Sequence, residues 1–321
     1  MNNKSTIILT NSTDTHAHIL VPEIERLNGK VYRLDTDRLN THFQITFYPE
    51  KGTFWLQTPV GNVESENISS IWIRRPYDFS FDVTNPKSKF IKQELMAVIR
   101  AFSLYLPEET LIIDNPDAVK LASNKLPQLK IATKFHLAIP DTITTNNPKM
   151  AKQFINKYKK NVIVKPMSIG TAEYGNKAFS VFTSKIDKSI DLSLVRNCPT
   201  LFQENIRKKS ELRITIIGNR IFAVEFDTQK LAEAKIDWRQ AGDKIATIPH
   251  KAVTLPDKLK NNLLALKNYY GLNFAAIDMA KTPENEYVFF ELNPAGQFLW
   301  LEDVTGVPLA EEMGKFLLGK S

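Results

Sequence analysis

The chain has 321 residues, 43% hydrophobic and 24% charged, the balance of an ordinary globular protein with room for two or three cored units. No run of about 18 uncharged apolar residues occurs, so no membrane span is expected, and the opening MNNKSTIILTNST holds too short an apolar stretch for a secretory signal. The one cysteine, Cys198, excludes an intramolecular disulfide and fits a reducing cytoplasm; the excess of 42 Lys and Arg over 35 Asp and Glu suits nucleotide phosphates or an acidic peptide, and no basic block with interleaved aromatics signals nucleic acid.

The first third opens on a strand, STIILT. A helix follows with Ile19, Glu23 and Leu27 near helical spacing, then Gly29 as its stop and the strand KVYRLD. FQITFYP and TFWLQTP pair as a hairpin around EKG, and ISSIWIRRP is a strand stopped by Pro76. Residues 87–106 read as a helix with an apolar stripe of Ile91, Leu95, Val98 and Phe102, before the strand TLIID. Alternating strands and helices imply an α/β domain over 1–115 with a largely parallel sheet.

A helix pair comes next, with Pro116 at a first helical position. IPDTITT, a helix through PKMAKQFINKY and the strand NVIVKP lead into the loop MSIGTAEYGNKAF, carrying Gly170 and Gly175, and the strand FSVFT. Residues 116–198 thus form a small α+β module of two strands joined by a flap. Over 199–321 the pattern is mainly β, with GN at 218–219 as a hairpin turn. Leu259, Leu263, Leu266 and Tyr270 line one face of a helix ending at Gly271. FAAIDMA and YVFFELN close the series, separated by KTPENE.

In YVFFELNPAGQFLW, strand alternation puts Glu291 and Asn293 on one face and Phe290 and Leu292 on the other. If FAAIDMA and YVFFELN pair, Asp278 can face them. Two carboxylates and an amide oxygen are a hard-oxygen set suited to Mg²⁺ with positions left for phosphate oxygens; an ordinary salt-bridged surface face is the plain alternative. Lys165 ends a strand before the glycine-bearing loop, where backbone amides could approach phosphates, although neither a Walker A loop nor a dinucleotide fingerprint is present. Gln203 and Glu204 end an apolar stretch, Glu211 and Arg213 share a strand face, and Arg239 lies in the loop IDWRQ; each is individually as consistent with an exposed ion pair. His16 and His18 have no zinc-site companions and read as structural or surface groups; Cys198 has no nucleophile signature, and the NST sequon carries no meaning inside a cell.

The order of these motifs is more specific than any one of them. SNK with Lys125, a strand ending in Lys165 and Pro166, a glycine flap, FQENI, ELRITIIG, an arginine loop, AIDMA and then FFELNPAGQF resemble the ATP-grasp ligases from about residue 116 to the end. SIWIRRP before a helix and LIIDNP, with DWRQ, resembles the microviridin or graspetide group, which matures ribosomally made peptides. That resemblance implies a three-domain ATP-grasp fold: an N-terminal α/β domain, a small central α+β domain and a C-terminal mainly antiparallel β domain with helices. It implies that Lys125 and Lys165 contact ATP phosphates, that Gln203, Glu204 and Ile206 line the adenine pocket, and that Glu211 lies near the ribose. Arg213 and Arg239 would face the transferring phosphoryl and the acceptor carboxylate, and Asp278, Glu291 and Asn293 would bind Mg²⁺. It further implies a homodimer acting on a ribosomal precursor peptide with a leader and an acidic core. The flap is less glycine-rich than in many such enzymes. A ligase adding an amino acid to a peptide or small carboxylate, as in glutamate-ligase relatives, is the competing expectation, and a nucleotide-binding regulator without catalysis is a weaker one.

Overall fold

The computed structural model describes residues 4–76, 86–167, 170–174, 177–187 and 190–320. The first part runs β1 (Ser5–Thr10), α1 (Thr15–Arg26), β2 (Val31–Asp35), α2 (Leu39–His42), β3 (Gln44–Tyr48), β4 (Thr53–Thr58), β5 (Gly61–Glu64), β6 (Ile68–Ile73), α3 (Pro86–Phe102) and β7 (Leu111–Ile113). Strands β2-β1-β6-β7 make the expected parallel sheet, and β3-β4-β5 form a separate antiparallel sheet between β2 and β6. β1 is buried along its whole length and β6 at all but one position, which fits a sheet covered on both faces.

Both helices expected here leave the first residue of their marked series outside the core. Asp14 caps α1 by accepting from the His16 amide, and the buried face is His16, Ala17, Leu20 and Ile24, while Ile19 is exposed. On α3 the buried residues are Ile99 and Phe102, with Leu95 and Val98 against them, and Ile91 lies outside, 45% exposed. Near-helical spacing alone does not fix which face a helix buries.

The rest comprises α4 (Pro116–Ala122), α5 (Lys125–Lys134), β8 (Thr142–Thr145), α6 (Pro148–Lys157), β9 (Val162–Lys165), β10 (Thr171–Tyr174), β11 (Lys177–Ser180), β12 (Ser184–Lys185) and β13 (Thr200–Glu204). Then follow β14 (Ser210–Ile217), β15 (Arg220–Phe226), β16 (His250–Val253), α7 (Asp257–Tyr269), β17 (Phe274–Lys281), β18 (Tyr287–Asn293), α8 (Trp300–Thr305) and α9 (Leu309–Leu317). The asparagine caps Asn115, Asn124 and Asn147 start α4, α5 and α6, and Pro116 sits at the expected first-turn position. The central sheet is β12-β9-β13-β8, so the FSVFT expectation is corrected: β11 pairs only with β10, and Ser184–Lys185 is what lies beside β9. Gly175, expected in the flap, falls outside the described residues.

The C-terminal sheet β16-β15-β14-β17-β18 is antiparallel throughout. One of its faces packs on α7 through Leu263 and Leu266, and α5 lies against the same core through Leu129 and Ala132. The opposite face joins α1, α8 and α9 in a cluster where Ile8, Leu20 and Ile24 meet Phe274, Phe298 and Met313, so the two ends of the chain share one core. Among the described residues no helix is long and apolar enough to cross a membrane.

The β14–β15 turn is the expected Gly218-Asn219 pair, with Ile217 opposite Arg220. Gly218 has φ +56°, and a Cβ there would sit 2.7 Å from the Phe316 ring. Gly218→Ala is expected to destabilise the chain by about 1–2 kcal/mol, the cost of a left-handed non-glycine residue. Urea denaturation with an unchanged slope and an unshifted midpoint would refute this reading of the turn.

Candidate active site

An open cleft of about 500 Å³ lies between the central and C-terminal sheets. It is lined by Ile163 and Lys165 of β9, Gln203 and Glu204 of β13, and Ile206, Lys208 and Glu211 just beyond. Asp237, Trp238 and Arg239 close one side, and Asp278, Phe290 and Glu291 form the floor.

The floor follows from strand register. Strands β17 and β18 pair so that Asp278 stands directly opposite Glu291, and Asn293 lies opposite Ala276. The pairing then slips, with Met279 opposite Phe289, leaving Phe290 as the extra residue of a β-bulge. Phe290 was expected to back the strand from the far side with Leu292. The bulge instead brings its ring to the cleft, 5.6 Å below the Lys165 amine, while Phe289 and Leu292 fill the core.

Glu291, 4% exposed, is the centre of the charge arrangement. Burial pushes its carboxyl up, but Lys165, Lys125 and Arg239 outweigh that and hold it well below the usual carboxylate range. Lys125 Nζ lies 3.2 Å from Oε2 and Arg239 Nη1 3.8 Å from Oε1. Lys125 reaches this spot because it opens α5, one turn before Gln128. The Gln128 side-chain amide accepts from Leu292 N at 2.9 Å and donates to Leu292 O at 2.7 Å, stitching α5 to the outer edge of β18. Lys125 Nζ also donates to Pro166 O, 3.1 Å away, beside the end of β9.

Asp278 accepts from Arg213 Nη1 at 2.9 Å through both oxygens, and Arg213 Nη2 donates to Gln297 O at 2.8 Å. Burial raises the Asp278 carboxyl pKa despite Arg213, with the facing Glu291 adding to the rise. Asp237 grips Arg239 with two bonds of 2.8 and 2.6 Å and accepts from Thr183 N, which fixes the arginine loop against the segment before β12. Glu211 is buried between Lys208 Nζ at 2.6 Å and Thr228 Oγ1 at 3.0 Å; burial raises its pKa, and Lys208 offsets part of that. Gln203 donates to Thr142 Oγ1 and keeps a buried Oε1 without a partner.

The structure therefore gathers the site residues read from the sequence. Lys165, Gln203, Glu204, Ile206, Glu211, Arg239, Asp278 and Glu291 line the cleft; Lys125, Arg213 and Asn293 stand behind it, each touching Asp278 or Glu291. Lys208, Asp237 and Thr183 had gone unread, and Phe290 had been read onto the opposite face. Of these only Asp237 carried a local signal, two positions before Arg239 in IDWRQ.

The donor set fits Mg²⁺. Among the described residues no three acidic, histidine or cysteine side chains gather, so a cation here rests on Asp278, Glu291 and the Asn293 amide. Glu291 Oε2 is buried and faces the Lys125 ammonium at 3.2 Å without an aligned hydrogen bond, and Asn293 Nδ2 donates to Oε1 at 3.2 Å, turning its own oxygen away from that bond. Two carboxylates and an amide form the incomplete oxygen shell on which Mg²⁺ is completed by water and phosphate.

A cleft between two antiparallel sheets, with lysines on one wall and paired carboxylates on the floor, defines an ATP-grasp ligase. The family model described as "RimK-like ATP-grasp domain" matches residues 122–317, and "MvdD pre-ATP grasp domain" matches residues 5–118. The chain belongs to the RimK-like ATP-grasp family and is an ATP-dependent ligase. A search of curated proteins returns no match. Among solved structures it is similar to a RiPP-associated ATP-grasp ligase of Chryseobacterium gregarium in complex with ADP and a leader and core peptide, at 30% identity and TM-score 0.87, covering 99% of this chain and 97% of that one. It is also similar to the macrocyclase MdnC of Microcystis aeruginosa bound with precursor peptide MdnA, at 31% identity and TM-score 0.84, covering 99% and 100%. The ligase PsnB shares the fold at 17% identity and TM-score 0.78, covering 99% and 98%.

Breaking a buried, doubly bonded ion pair from one side leaves a charge without compensation. Asp278→Ala should therefore cost about 3–5 kcal/mol of stability in EDTA, where no metal contributes. Chemical denaturation measures it, and a loss below about 1 kcal/mol, the scale of an exposed pair, would contradict the buried Arg213 pairing.

Proposed function

We propose that this ligase is a peptide macrocyclase that phosphorylates Asp or Glu side chains of a ribosomal precursor peptide and joins them to Ser or Thr hydroxyls or Lys amines of the same peptide. The observation that carries the reading is the facing pair Asp278 and Glu291 beneath a ring of cations. Similarity over nearly the full length to enzymes solved with leader, core and precursor peptides supports it.

Forming an ester or amide from a carboxylate in water is uphill, so the carboxylate must first be activated. The γ-phosphoryl of ATP passes to a side-chain carboxylate oxygen, giving an acyl phosphate and ADP. The hydroxyl or amine then attacks the acyl carbon, the carbon–oxygen bond to phosphate breaks, and the nucleophile loses its proton. Phosphoryl transfer depends on positioning and charge rather than on a protein nucleophile, which suits a cleft without a serine or cysteine triad. Asp278, Glu291 and Asn293 would hold Mg²⁺, which when bound neutralises phosphate charge. Lys125 and Lys165 are assigned to the phosphates, with the Lys165 amine over Phe290 beside the base. Gln203, Glu204 and Ile206 line the adenine end and Glu211 the ribose. Arg239, held by Asp237, and Arg213, beside Asp278, are assigned to the transferring phosphoryl and the acceptor carboxylate.

The reading extends to a cytoplasmic homodimer and to units spanning 1–115, 116–198 and 199–321. Phe90, Ile91 and Leu104, all exposed on or just after α3, leave apolar area that a second copy would cover.

A short acidic peptide encoded beside this gene, incubated with the enzyme, ATP and Mg²⁺, should lose the mass of one water per ring by intact-mass spectrometry. Glu291→Ala should abolish the loss. Ligation of a free amino acid without dehydration would replace this reading with that of a glutamate-ligase-like enzyme.

A further inference from the structure

The segment Asn293–Leu299, which begins at a proposed metal ligand, is gripped from the other end of the chain. Arg74, at the end of β6, donates from Nη1 to Ala295 O. His16, in the first turn of α1, accepts at Nε2 from Phe298 N at 3.0 Å and Leu299 N at 3.4 Å. Between these two grips, Arg213 donates to Gln297 O. Gly296 lies so close to Arg213 that a Cβ would stand 2.6 Å from Nη2 and 2.5 Å from the Ala276 Cβ. A short irregular segment is thus held by four hydrogen bonds, three of them with His16 and Arg74, more than 200 positions away.

The chemistry of the grip is specific. Accepting two backbone amides requires an unprotonated Nε2, so the imidazole is neutral with its proton on Nδ1, on the side of Asp14. Burial and the nearby Arg74 push the His16 pKa down to about 3, which agrees with that state. Its ring also packs on Phe298 at 5.0 Å. Arg74 is 3% exposed, lies over Trp72 and has its Nε 4.0 Å from Asp14; among the described residues its side chain hydrogen-bonds only Ala295, and Nε and Nη2 make no hydrogen bond. Burying a guanidinium with one hydrogen bond and a distant carboxylate is costly unless the position of that loop matters.

We infer that His16 and Arg74 are positioning residues for the cation site: from the N-terminal part they set the placement of Asn293 and, through Gln297, the aim of Arg213. Groups that orient metal ligands without touching the metal commonly govern its affinity by about 10–100-fold. The inference rests on the assignment of Asp278, Glu291 and Asn293 to Mg²⁺, and the test separates the two.

The test is ADP binding by calorimetry, titrated with Mg²⁺ and repeated in EDTA. His16→Phe keeps the ring packing and deletes the acceptor; Arg74→Met keeps bulk and deletes the donor. Each should raise the Mg²⁺ concentration for half-maximal enhancement of ADP binding by about tenfold or more, leaving ADP affinity in EDTA unchanged. His16→Gln and Arg74→Lys, which keep an acceptor and a donor, should recover much of the shift. Variants that lose only melting temperature and keep the wild-type Mg²⁺ midpoint would overturn the inference. If either deletion variant does not fold, His16→Leu or Arg74→Leu, which also delete the acceptor or the donor, replaces it, and a wild-type Mg²⁺ midpoint there counts against the inference. Asn293→Ala is the control: no effect of that change on the Mg²⁺ midpoint would remove the metal assignment itself.

Discussion

A carboxylate that stays ionised while almost fully buried organises this molecule. Left alone in a low-dielectric interior, Glu291 would take up a proton. It is kept charged by Lys165 from β9, Lys125 from α5 and Arg239 from the loop before β16, three elements far apart in the chain. Such a cluster adds little net stability, since desolvation cancels much of the Coulomb attraction. Its contribution is specificity: any arrangement that separated the central sheet from the C-terminal sheet would strand these charges.

How much of this was legible in the sequence depended on how local the cause was. The parallel sheet, the Gly218-Asn219 turn and the β17–β18 pairing come from short-range patterns, namely alternation, turn chemistry and a brief connector, and all three are present. The facing of Asp278 and Glu291 was readable for the same reason. What alternation cannot reveal is a one-residue bulge, and so Phe290 was placed on the wrong face. The exposure of Ile19 and Ile91 was not legible because spacing gives a period and not a phase or an extent; what the helix meets decides which positions are covered.

Contacts over long sequence separations left no trace in any local window. Gln128 joins α5 to Leu292 across 164 positions, and His16 meets Phe298 across 282. Both are side chains bonded to backbone, so neither required a complementary residue type at the far end. The sequence therefore shows a glutamine in a helix and a histidine after a strand, with nothing to mark them. The shared core of α1, α8 and α9 explains why such bonds form reliably: once Leu20 and Ile24 pack against Met313, His16 has no freedom to be elsewhere.

The charge balance of the cleft accounts for its need of a divalent cation. Around it stand five cationic groups, Lys125, Lys165, Lys208, Arg213 and Arg239, against five carboxylates, Glu204, Glu211, Asp237, Asp278 and Glu291. Most of that positive charge is already committed: Lys208 to Glu211, Arg213 to Asp278, Arg239 to Asp237. A triphosphate brings several negative charges into this nearly neutral site, next to two buried carboxylates that would repel it. Cationic side chains alone could meet that charge only by abandoning their partners, leaving buried anions exposed to the same repulsion. A metal ion between the carboxylates and the phosphates satisfies both at once, and Asp278, held by Arg213 yet facing Glu291, is the residue at which the protein's cations and the metal must share one anion.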